Sequence, residues 1–242
     1  MKRHALKANL AFHRLNIVPG LVIFWIIVGM VTAIGTALNT NPNISVGVFM
    51  TRTNGQISTV ASIFVAILIY TVVVSLISHP ENYSLLLGMG STRKAFYLGQ
   101  IIALAGVALL NAVLMTTAFW LEGLILPVLG MAQLDYMAVY SLRLNHLWLT
   151  LIHFAMLVLL SAVCVLITTF IYRSQRIVVN IGMILVIVAT LLINPLRSGL
   201  WGNLLHWVSN NTGAFSLSGK LVLLALVVYG IGWLILRRTE AR

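Results

Sequence analysis

Residues able to do chemistry are few in this chain and stand far apart. Four acids occur, Glu81, Glu122, Asp135 and Glu240, together with a single cysteine, Cys164. Six histidines, His4, His13, His79, His146, His153 and His206, are scattered along the sequence. A zinc site needs three or four converging ligands, and neither H-E-x-x-H nor C-x-x-C is present. His153 falls in an apolar run, where a structural hydrogen bond is a better reading of one imidazole than a ligand role. A phosphate loop would read G-x-x-x-x-G-K-[ST], with backbone N–H groups around the phosphates and a hydroxyl on magnesium. The nearest match, Gly213 to Gly219-Lys220, has one residue too many, and Leu221 replaces the hydroxyl. The chain is therefore expected not to be an enzyme and not to hydrolyse ATP by itself.

Polar residues inside apolar runs are mild: Thr32, Thr36, Ser62, Thr71, Ser75, Asn111, Ser161, Thr168 and Asn180. Asn111 and Asn180 are candidates for a substrate path; the alternative, which is preferred, is hydrogen bonding between helices. All four acids are expected outside the apolar runs. Ion-coupled transporters place ionisable groups along their path, so this distribution argues against one.

The elements that must position these residues follow from composition. Of 242 residues, 60% are hydrophobic and 8% charged, and the mean hydropathy is +1.03. A soluble domain carries roughly 25% charged residues, so lipid must be the solvent for much of this chain. The expected fold is an all-α integral membrane protein forming one transmembrane domain. Six apolar runs are long enough, or nearly so, to span a bilayer: residues 17–38, 57–77, 97–120, 147–171, 177–193 and 218–236. The runs are continuous rather than alternating, which favours helices over barrel strands. The first run exceeds a signal-peptide core of about 7–15 residues and lacks a clear A-x-A site, so it is read as a retained span. The fifth stops at Asn194-Pro195, where proline ends a helix. Ser58, Ser62 and Ala66 form a small-residue ridge on the second run, suited to close helix packing.

Orientation follows from the basic residues. With the N-terminus inside, the inner segments hold Lys2, Arg3, Lys7, Arg14, Arg93, Lys94, Arg173, Arg176, Arg237, Arg238 and Arg242. The outer segments hold only Arg52, Arg143, Arg197 and Lys220. That bias places both termini on the cytoplasmic side. It also accounts for the formal net charge of +11, which in a soluble protein would suggest nucleic acid and here does not. Residues 1–16 read either as a short amphipathic helix on the anionic inner leaflet or as a solvated basic flank. The outer loop 121–146 carries Glu122, Asp135 and Arg143 with Pro127 and Gly130 as breakers. The outer loop 194–217 repeats apolar residues at spacings of three and four and suggests a short surface helix.

The segment between the second and third spans, residues 79–97, is the most informative. Glu81 follows Pro80, as suits a helix start where a carboxylate meets the positive dipole end. Residues 83–87 form a short apolar turn, which Gly88 and Gly90 can end. Ser91 or Thr92 can cap the next helix. Arg93 and Lys94 then oppose the dipole of its first turn, so their expected job is to anchor the chain to the inner leaflet or to a partner. The product is a short cytoplasmic helix tied to two spans, a shape that can transmit a push.

This loop resembles that of the ABC-2 type permeases, the membrane subunits of certain ATP-binding-cassette transporters. In that family a glutamate begins the loop, and a coupling helix leads to a Gly-x-[Ser/Thr]-Arg-[Lys] element entering the third span. Glu81, residues 83–87 and Gly90-Ser91-Thr92-Arg93-Lys94 match those features, and the wider pattern looks like the small permeases of Gram-positive bacteria. The resemblance implies a bacterial plasma-membrane exporter subunit without cofactors of its own. Its partners would be ATPase subunits that bind ATP and magnesium, a second permease subunit, identical or not, and membrane lipid. It implies that Glu81, Asn82, Tyr83, Leu86, Leu87, Gly90, Arg93 and Lys94 meet the ATPase, with Tyr83 and Leu87 as apolar knobs. The scarcity of charge in the spans suits an amphipathic or hydrophobic substrate such as a membrane-active peptide, a lipid or a drug. The alternative is a sensor, scaffold or immunity protein that moves no solute; a membrane-embedded enzyme is the third reading.

Overall fold

The computed structural model of the chain describes residues 3–39, 51–53, 56–58, 60–77, 80–128, 132–133, 146–174 and 214–237. These form helices α1 (Arg3–Asn39), α2 (Val60–Ile77), α3 (Pro80–Gly88), α4 (Arg93–Val128), α5 (His146–Ser174) and α6 (Ala214–Leu236). Strands β1 (Thr51–Thr53), β2 (Gln56–Ser58) and β3 (Ala132–Gln133) complete the described elements. Four helices hold stretches long and apolar enough to cross a membrane: Ala8–Met30, Arg93–Ile125, His146–Ile171 and Phe215–Leu236. Ile63–Ile77 is a shorter apolar helix; the full 18 residues of α2 extend about 27 Å. Lipid supplies no hydrogen-bond partners, so a spanning backbone must satisfy its own, and continuous helices do that.

Side-chain pairs fix the helix directions. On α1 and α4, Asn9 lies beside Gly99 and Trp25 beside Asn111, so these two helices run parallel. Thr150 donates to Thr116 at 2.9 Å, and Gly232 lies against both Tyr97 and Leu166, which sets α5 antiparallel to α4. Trp148 meets Phe215 edge-on, and Ser161 shares a 2.7 Å hydrogen bond with Tyr229. α5 and α6 therefore run side by side in the same direction. They form the most extensive helix pair among the described residues. Its buried small residues Ala155, Ser161, Ala162 and Ala225 let the backbones approach closely, the usual source of helix affinity in lipid. α2 packs on α1, with Phe24 stacked on Tyr70 at 4.4 Å, and on α5, with Phe64 5.4 Å from His153.

Several expectations are corrected. Residues 3–16 are not a separate interfacial helix: α1 runs unbroken from Arg3 through Pro19. The buried positions Asn9, His13, Ile17, Leu21 and Val28 make one stripe along it. The second helix starts at Val60, and Ser58 belongs to β2, so the proposed ridge loses its first member. β1 pairs antiparallel with β2, and β2 pairs parallel with β3, in a small sheet no apolar run foretold. α4 continues past residue 120 to Val128, carrying Glu122 into the helix, where it is buried. One acid does not stop a helix whose neighbours Leu121, Leu124 and Ile125 stay apolar, since stopping would strand backbone groups. The scarcity of acid in the spans is thus less complete than the sequence suggests. The expected fifth span at 177–193, with Asn180, and residues 194–213 of the outer loop lie outside the described residues.

Candidate functional site

α3 is a nine-residue helix joining α2 to α4 across one end of the bundle. Proline at its first position suits a helix start, because a missing N–H costs nothing there. Glu81 sits in that first turn. The C-terminus closes in a Schellman motif. The N–H of Ser91 donates to the Leu86 carbonyl at 2.9 Å, and that of Gly90 to Leu87 at 3.0 Å. Gly90 takes the left-handed conformation the motif requires, with φ of 81°. Thr92 then caps α4: its Oγ1 accepts from the Ala95 N–H at 3.3 Å, and its carbonyl from the Phe96 N–H at 2.9 Å. Of the two capping candidates, Thr92 has the role.

Ser91 instead ties the turn to α1. The Asn9 amide donates to Ser91 Oγ at 2.9 Å, and that hydroxyl lies 3.3 Å from Asn9 Oδ1, able to donate in return. Asn9 fits against α4 because residue 99 is glycine; a Cβ there would stand 3.0 Å from the Asn9 Cβ. Beneath this pair lies an aromatic cluster. The Tyr83 and Phe96 rings meet at 5.1 Å and 74°, and His13 lies 5.9 Å from Phe96. Tyr83, Phe96 and His13 are each 0% exposed.

Arg93 resolves the puzzle of a cation at a helix N-terminus. Its Nη1 donates to the Arg237 carbonyl at 3.2 Å, just past the end of α6. Terminal carbonyls lack helical partners and carry the negative end of the dipole, so the guanidinium is favoured there. Lys94, one residue on, is exposed. The contacts of Asn9, Ser91, Arg93 and Arg237 bring α1, the α3–α4 turn, the start of α4 and the end of α6 to one end of the bundle.

The outward face of α3 differs from the expected one. Tyr83 and Leu86 point inward and are buried, so neither is a knob available to a partner. Leu87 and Asn82 are half-buried. The apolar side chains that face out are Leu85, 50% exposed, and Met89, 63% exposed. Four apolar residues in a short helix leave its inner side undetermined by spacing; the ring of Phe96 decides it. Sequence reasoning also missed Asn9 and His13, although their spacing of four continues the stripe through Ile17 and Leu21. A groove of about 500 Å³ separates α1 from α3, lined by Ala8, Phe12, Leu15, Leu86 and Met89 among others. 

The other candidates lie elsewhere. Asn111 is fully buried and accepts a 2.8 Å hydrogen bond from the Trp25 indole, so it joins α1 to α4. His153 is buried against Phe64. Among the described residues no group of three histidine, cysteine or acidic side chains converges to hold a metal. No protein-family model, no curated protein and no solved structure matches this chain.

Gly90 supplies a direct check on the turn. Nothing lies within 4 Å of a Cβ built there, so Gly90→Ala is opposed by backbone strain alone, about 1 kcal/mol. Gly88 is equally open but helical, so Gly88→Ala should be neutral or stabilising. Thermal unfolding of the two variants in detergent measures the difference.

Proposed function

We propose that this chain is the membrane subunit of an ABC exporter, with α3 as the handle by which a separate ATPase moves the helices. The observation that carries this reading is the way α3 is fastened. It is capped at its C-terminus, buried on one side against Phe96, tied through Ser91 to α1 and placed beside the Arg93 contact with α6. A load on α3 therefore reaches α1, α4 and α6 without an intervening flexible loop. The outward pair, Leu85 and Met89, offers an apolar contact to a soluble partner.

In this proposal the chain makes six crossings, with both termini on the cytoplasmic side of a bacterial plasma membrane. The basic bias of the inner segments supports that orientation. The parallel course of α5 and α6 supports a further crossing between them, because the end of one and the start of the next lie at opposite ends of the bundle. A second permease subunit would complete the pathway, and ATP and magnesium would be bound by the ATPase pair. The substrate class is amphipathic or hydrophobic, consistent with spans that expose leucine, isoleucine and valine.

The test is the double variant Leu85→Asp with Met89→Asp. Both side chains are exposed, so folding should be unaffected, while association with the ATPase should fall at least about tenfold if two apolar contacts are replaced by hydrated charge. Co-purification of ATP-hydrolysing activity with the tagged chain reads the result. Undiminished ATPase association and transport would remove α3 from the mechanism. A chain that carries no ATPase from its native membrane would favour the sensor, scaffold or immunity reading.

A further inference from the structure

A second groove of about 280 Å³ opens between α4 and α6, lined by Lys94, Tyr97, Leu98, Ile101, Tyr229, Gly230 and Trp233. We propose that it binds one anionic phospholipid, with an acyl chain along the apolar wall and the headgroup phosphate at the Lys94 ammonium. Three observations carry this. The groove is apolar along its length and cationic at one end, and none of its lining residues is acidic. Its cationic end is the end of the bundle where the Arg93 guanidinium, next to Lys94 in the chain, meets the Arg237 carbonyl. Its wall is held in shape: Tyr97 donates to the Tyr229 carbonyl at 2.7 Å, and the Tyr97 and Trp233 rings stand 5.7 Å apart. Tyrosine and tryptophan are the side chains favoured where hydrocarbon gives way to headgroups. Gly230 leaves the floor open, with nothing within 4 Å of a Cβ placed there.

The charge at the mouth commits the site to an anionic lipid. A second crevice, of about 240 Å³ between α1 and α4, is lined by Leu10, His13, Ile17, Ile102 and Gly106 among others and has no lysine or arginine in its wall. Its one ionisable side chain, His13, is fully buried against Phe96, so no exposed cation there chooses between headgroups. Basic residues at the mouth of a cleft between spans do choose, at about 1 kcal/mol per lysine, close to a fivefold preference. This inference does not depend on the transporter proposal and would stand for any helical membrane protein of this structure.

The experiment is native mass spectrometry of the whole chain released from mixed micelles of dioleoylphosphatidylglycerol and dioleoylphosphatidylcholine, alongside thermal unfolding with each lipid. The wild type should retain one phosphatidylglycerol with about a fivefold preference and gain thermal stability from it. Lys94→Gln should erase the preference while leaving chain binding. Gly230→Leu should fill the floor and lower retention of both lipids. Leucine is a better helix former than glycine and meets open space there, so unfolding in detergent alone should occur no lower than in the wild type. Equal retention of the two lipids by the wild type would overturn the proposal. So would an unchanged preference in Lys94→Gln, or unchanged retention in Gly230→Leu. Glycerol 1-phosphate added alone should give no stabilisation; the same shift as the lipid would mean that a free phosphate, not an acyl-bearing lipid, is the ligand.

Discussion

Phe96→Ala should lower the stability of the chain by about 3–5 kcal/mol, the range for deleting a buried aromatic ring. Phe96 is 0% exposed and stands where three helices meet. Its ring packs edge-on against Tyr83 of α3 and tilts against His13 of α1, while its backbone lies in the first turn of α4. Truncation removes the surface on which α3 rests, and the cavity would border two side chains that are themselves fully buried. α3 should then detach before the spans separate. Thermal unfolding measured in detergent, together with limited proteolysis of the segment 80–92, should show early cleavage in the variant. Leu85→Ala, on the exposed face of the same helix, should cost less than about 1 kcal/mol. Similar losses from the two substitutions would mean that α3 is not seated on Phe96.

The second large effect is at Gly232. A Cβ there would stand 2.5 Å from the Tyr97 hydroxyl oxygen, closer than real Cβ contacts allow. Gly232→Ala must therefore push Tyr97 away, weakening its 2.7 Å hydrogen bond to the Tyr229 carbonyl and its packing on Trp233. Overpacking of this kind costs about 1–3 kcal/mol, which outweighs the gain of roughly 1 kcal/mol from alanine in a helix. The double variant Gly232→Ala with Tyr97→Phe deletes the colliding oxygen. It should be more stable than the sum of its parts, a coupling that a double-mutant cycle isolates. Gly230, two residues earlier and facing open space, should accept alanine without loss. Additive effects at positions 232 and 97 would contradict the contact.

How much of this was legible in the sequence can be argued from single elements. The long apolar runs of α4, α5 and α6 announce themselves because lipid forces an unbroken helix and tolerates little charge. Their ends are less legible. Glu122 was read as the start of a loop, yet backbone hydrogen bonding carries α4 past it to Val128. α1 was cut at residue 17 because the preceding residues are basic, although Asn9, His13, Ile17 and Leu21 repeat every four residues and mark one continuous face. The three short strands had no signal, since two or three residues are too few to show alternation.

The site was legible in its turn chemistry and illegible in its facing. Pro80, the pair Gly88 and Gly90, and the pair Ser91 and Thr92 have local requirements that few residue types meet, so the start of α3, a glycine stop and a cap for α4 can be read from type and spacing, while the choice of Gly90 and Thr92 within each pair needs the structure. Which side of α3 faces inward depends on Phe96 and His13, thirteen and seventy residues away from Tyr83 in the chain. No local spacing carries that information, and Tyr83 was assigned outward in consequence. Arg93 was similarly puzzling alone: its favourable carbonyl belongs to Arg237, at the far end of the sequence.

These contacts fasten α3 to its neighbours, as the proposed handle requires. Its C-terminal end is fixed by backbone capping, its inner side by aromatic packing, and the adjoining turn by the Asn9–Ser91 pair. The direct measurement of its role is site-specific photo-crosslinking from Met89 in intact cells that make the chain at its natural level. A crosslinker at the exposed Met89 should capture an ATP-hydrolysing protein on the cytoplasmic side, whereas one at the buried Leu86 should yield only contacts within the chain. Labelling of Met89 by a membrane-impermeant reagent from outside the cell, or the same products from both positions, would contradict the account.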